Sequence, residues 1–65
     1  MTYELTGILG PRGPVVKCGI SSESDKAAVA KAKARMEHEG WFGVILREWD
    51  DEEALFVDMR TEAGG

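Results

Sequence analysis

Residues 22–40 read S-E-S-D-K-A-A-V-A-K-A-K-A-R-M-E-H-E-G, the one segment of this chain with a helical period. Alanine dominates it, and no Gly, Pro or Thr interrupts it between Asp25 and Glu39. Propensity and pattern therefore agree on a helix over about 23–39. Ser22 stands in the N-cap position, with Asp25 three residues on as its capping-box partner; Ser24 is the alternative cap. Glu23 and Asp25 place negative charge where the helix dipole favours it. Gly40 supplies the left-handed residue that ends many helices.

Ala28, Val29, Ala32 and Met36 fall on one stripe at helical spacing, so the core face is built mostly of small side chains. Such a face lets a helix backbone approach a sheet closely, with bulk supplied by the strands. Ala27, Ala30 and Ala34 form a second stripe, which reads as surface alanine stabilising the helix.

The flanking segments alternate or run apolar, as strands do. They are expected at about 2–9, 15–20, 42–49 and 54–60, with a tail at 61–65. Gly10-Pro11-Arg12-Gly13-Pro14 between the first two is a turn, its prolines presetting φ and its glycines providing positive φ. Gly7 and Gly19 inside strands suggest a bulge or room for the helix. Asp50-Asp51-Glu52-Glu53 is the polar tip of the second hairpin. The order β-β-α-β-β predicts an α+β two-layer sandwich: one four-stranded, mainly antiparallel sheet with a single helix on one face.

One helix cannot cover all the apolar side chains of such a sheet. Alternation leaves one set outside the helix, and Ile8, Trp41, Ile45, Trp49 and Phe56 are the candidates. A clustered apolar patch marks an interface. A 65-residue chain is also marginal alone and usually needs a staple. Cys18 is the only cysteine, which excludes an internal disulfide, and one Cys with one His is too few for the about four ligands of a structural zinc site. Self-association remains, and a homodimer is the expected first partner, with another protein second.

No stretch reaches the roughly 18 apolar residues of a membrane span, and Met1-Thr2-Tyr3-Glu4 lacks the basic start of a signal peptide. With one unpaired cysteine, the expectation is a soluble cytoplasmic protein. Size and composition suggest an accessory or inhibitor protein of a bacterium or bacteriophage. Residues 1–47 carry seven Lys/Arg and five Asp/Glu (+2), residues 48–65 one Arg and seven acids (−6), which together give the net −4. An acidic chain is a poor nucleic-acid binder as a whole; the alternative would use Lys26, Lys31, Lys33 and Arg35 on the helix.

No motif specifies a reaction, a cofactor or a metal. Cys18 alternates with Val16 and Ile20 and reads as a structural thiol, because no base is placed beside it. His38 suits the dipole near the helix C-terminus. The acidic run has no glycine for a calcium loop, and the Gly-Pro turn lacks the Lys-Ser/Thr of a phosphate loop. The protein is expected not to be an enzyme.

Overall fold

A computed structural model describes residues 1–60; the tail expected at 61–65 lies outside the described residues. The elements run β1 (Thr2–Ile8), β2 (Val15–Ser21), α1 (Asp25–Glu39), β3 (Gly43–Glu48) and β4 (Phe56–Met59). They form one antiparallel sheet in the order β2-β1-β3-β4. The helix connects β2 to β3 and crosses over β1, so α1 lies over the two central strands.

The helix begins at Asp25, because Ser24 and not Ser22 is the cap. Ser24 is extended (φ −153°, ψ 165°), and its Oγ accepts from the Ala27 N–H at 3.1 Å. Ser22 is held in the sheet instead: its N–H donates to the Met1 carbonyl, the Met1 ammonium donates to the Ser22 carbonyl, both at 3.0 Å, and its buried Oγ has no partner. Asp25 is likewise not a capping-box partner; its Oδ1 accepts from the Tyr3 hydroxyl at 2.7 Å, tying the helix start to β1.

Gly40 ends the helix at φ 72°. Its N–H donates to the Glu37 carbonyl and the Trp41 N–H to the Met36 carbonyl, the paired bonds of a Schellman turn. This turn removes Trp41 from the strand alternation. The ring swings under the helix end and packs over Gly7, where a Cβ would lie 2.5 Å from it.

Tyr3, Leu5, Val44 and Leu46 from the central strands pack under Ala28, Ala32 and Met36, with Trp41 closing the end. The small residues of the helix stripe and the bulky ones of the strands divide the core as the spacing predicts. Gly7 and Gly19 sit in continuous register with no bulge. The 10–13 turn closes with a Gly13 N–H to Gly10 carbonyl bond at 3.1 Å, and neither glycine has positive φ; Pro11 presets a turn that needs none.

Buried Tyr3 yields a prediction. Burial first, then the hydrogen bond and charge of Asp25, then the charge of Glu48, push its phenol from 10.0 up to about 12. Below pH 10 the proton is bound in folded and unfolded chains alike. Between about 10 and 12 only the unfolded chain gives it up, so stability falls as pH rises through that window. Tyrosinate absorbance of the single tyrosine should titrate near 12 in the folded protein. A midpoint near 10 with the fold intact would contradict the burial of Tyr3 beside Asp25.

Candidate functional site

The register divides the sheet into two faces. Tyr3, Leu5, Gly7, Val44, Leu46, Phe56 and the β2 residues Val16, Cys18 and Ile20 face the helix layer. Ile8, Ile45, Val57 and Met59 occupy the open face, with Val15 beside Ile8. Gly43 lets the Met59 side chain lie across β3, since a Cβ there would collide with the Met59 sulfur. One end of the open face is therefore apolar across all four strands. A polar row bounds it: Arg47 Nε and Nη2 donate to Glu4 Oε1 at 3.1 and 2.9 Å. Trp49, 55% exposed, follows β3 beyond that row.

Ile8 and Ile45 thus share the open face as expected from alternation, and both are half-buried. Trp41 and Phe56 do not join them. Trp41 is drawn into the core by the Schellman turn. Phe56 pairs with Leu46 and so falls on the helix side, half-buried, with Lys33 Nζ 5.5 Å above its ring. The expected strand start at 54 gives way to Phe56, and Val15, Val57 and Met59 take the exposed places. The missed signal was register: β4 alternation alone does not say which set meets Leu46.

The outer strands are the least covered elements. Neither β2 nor β4 contains a buried residue. On the helix side of β2, Leu5, Ile20 and Ala34 floor a shallow groove of about 490 Å³ rimmed by Lys31, Arg35 and His38. Cys18 is half-buried opposite Leu5, and makes no hydrogen bond to His38.

The four helix cations do not form one stripe. Lys31 Nζ donates to the Ser21 carbonyl at 2.7 Å, and Arg35 lies 5.7 Å from the Trp41 ring centre and 3.5 Å from Glu39, both on the β2 flank. Lys33 turns to the β4 flank, and Lys26 sits in the first turn. The acidic tip is organised by its own bonds: Glu53 N–H donates to Asp51 Oδ1 at 3.1 Å, and Arg47 Nη1 to the Asp51 carbonyl at 2.7 Å. Among the described residues no three His, Cys, Asp or Glu side chains converge as a metal site, and no helix is long and apolar enough to cross a membrane.

Compared with known proteins, the chain matches no family model, no curated protein and no solved structure.

Proposed function

We propose that this protein is a non-catalytic binding module that associates first with a second copy of itself, and then with another protein, through the parts of its sheet that the helix leaves uncovered. The reading rests on one observation: two of the four strands bury no side chain, while Val15, Val16, Val57 and Met59 stand exposed on them. Burying one large apolar side chain is worth roughly 1.5–3 kcal/mol relative to leaving it wet, so covering several drives association. The separated helix cations and the net charge of −4 weigh against a nucleic-acid partner.

Sedimentation equilibrium at low and high salt tests the reading. The weight-average mass should rise above the 7.1 kDa of one chain as concentration increases, and should hold as salt is added. A 7.1 kDa particle at every concentration up to about 1 mM would overturn it.

A further inference from the structure

We infer that two copies join edge to edge through β2, antiparallel about a two-fold axis at Cys18, making one eight-stranded sheet. The inference rests on the self-association proposed above and specifies its geometry.

Backbone polarity comes first. Ser22 exchanges both backbone bonds with Met1, and the Pro14 carbonyl accepts from Leu9, so the even-numbered residues of β2 turn their backbone groups toward β1. The unbroken register carries this alternation through Val16, Cys18 and Ile20. Val15, Lys17, Gly19 and Ser21 therefore point their N–H and C=O groups outward, along an edge without a neighbouring strand among the described residues. Lys31 reaches the outward Ser21 carbonyl, as this polarity allows, through one of the two lone pairs of that oxygen. A seven-residue edge with a single charge and no proline is a template for another strand.

The register follows from the side chains. Cys18 is the midpoint of Val15–Ser21, so an axis there is the one that pairs the whole strand: Val15 with the partner's Ser21, Val16 with Ile20, Lys17 with Gly19. Centring on Lys17 would set two lysines opposite each other. Centring on Gly19 would leave Val15 and Val16 outside the pairing.

Gly19 supports the same register independently. Its φ is not positive, and an added Cβ would meet nothing closer than the Tyr3 carbonyl at 4.0 Å, so the lone subunit gives no reason for a glycine. In the pair, Gly19 stands between Glu4 on β1 and the partner's Lys17, all on the open face. That lysine is then two strand spacings, about 9.5 Å, from Glu4, a span the two side chains close when no side chain stands between them. Arg47 engages Glu4 through Oε1 in both of its bonds, which leaves Oε2 for the lysine. Two-fold symmetry makes this contact twice. On the helix side, Val16 and Ile20 of each copy meet around Cys18 and join the two apolar grooves.

At the axis Cys18 faces its own copy in a non-hydrogen-bonded pair, with Cα atoms about 4.5 Å apart, inside the range a disulfide spans. This provides the test. Diamide takes two electrons and two protons from a pair of thiols, leaving an S–S bond and reduced diamide. The full chain, at a concentration where sedimentation gives a dimer, should form the Cys18–Cys18 linkage at least about tenfold faster than the urea-unfolded chain. Gly19→Pro removes an outward N–H and no bond to β1, so it should give a monomer with unchanged far-ultraviolet circular dichroism. Should that variant misfold, Lys17→Glu, which sets a carboxylate beside the partner's Glu4, should weaken the dimer about tenfold. A dimer by mass that cross-links no faster than the unfolded chain, or that both variants leave intact, would overturn the β2 pairing while self-association stands. A monomer by mass would overturn both.

Discussion

Replacing Trp41 with alanine is expected to cost about 3–5 kcal/mol, the range for emptying a large aromatic site. At roughly 0.05–0.15 kcal/mol per residue, a 65-residue domain holds about 3–10 kcal/mol in all, so this substitution removes a large fraction of its stability. The reason is geometric. Trp41 is 5% exposed, closes the core at the helix end, and is held in place by its N–H to the Met36 carbonyl. The three heavy atoms nearest to a Cβ built at Gly7 all belong to its ring. The Arg35 guanidinium above the ring loses its partner as well. Urea denaturation followed by far-ultraviolet circular dichroism checks this. A Trp41→Ala protein with the native midpoint would show that the ring is not part of the core.

Gly7→Ala is also expected to destabilise the fold, although it adds a single methyl group. The new Cβ would lie 2.5–2.6 Å from three ring carbons of Trp41, and the ring cannot retreat while the Schellman turn fixes its backbone. Overpacking of this kind costs about 1–3 kcal/mol, sometimes more. Gly7 has no positive φ, so the cost is steric and not conformational. The two sites should therefore couple. In a Trp41→Leu background, Gly7→Ala should lose much of its effect, with a coupling energy of about 1 kcal/mol or more by a double-mutant cycle. Strictly additive costs would mean that Gly7 serves some purpose other than seating the indole.

The layout of the chain was legible because each element carries its own signal. The alanine-rich 25–39 segment can be little else than a helix, Gly40 marks its end, and the alternation of Tyr3, Leu5 and Gly7 with Glu4, Thr6 and Ile8 marks β1 as a strand without saying which of its faces meets the helix. What could not be read depends on contacts between elements. Ser22 and Ser24 are equivalent caps in sequence; pairing with Met1 removes Ser22 from the choice. Trp41 looks like a strand residue until the helix end turns it inward. Phe56 and Val57 are equally apolar, and only the pairing of Phe56 with Leu46 assigns one to the helix side and the other to the open face. The same limit applies to the site. Surplus apolar surface was evident from the count of strand residues against one small-residue helix, whereas the bareness of β2 required knowing that it lies at the edge.

Amide hydrogen exchange across β2, measured at rising protein concentration, tests most directly whether this edge is where a second copy binds. In a single subunit the Cys18 N–H is turned toward β1, and those of Lys17 and Gly19 toward solvent. Pairing through β2 predicts that Lys17 and Gly19 exchange fast in dilute protein and slow toward the Cys18 rate as concentration rises. Lys17 and Gly19 amides that stay unprotected in a sample whose mass is that of a dimer would contradict it.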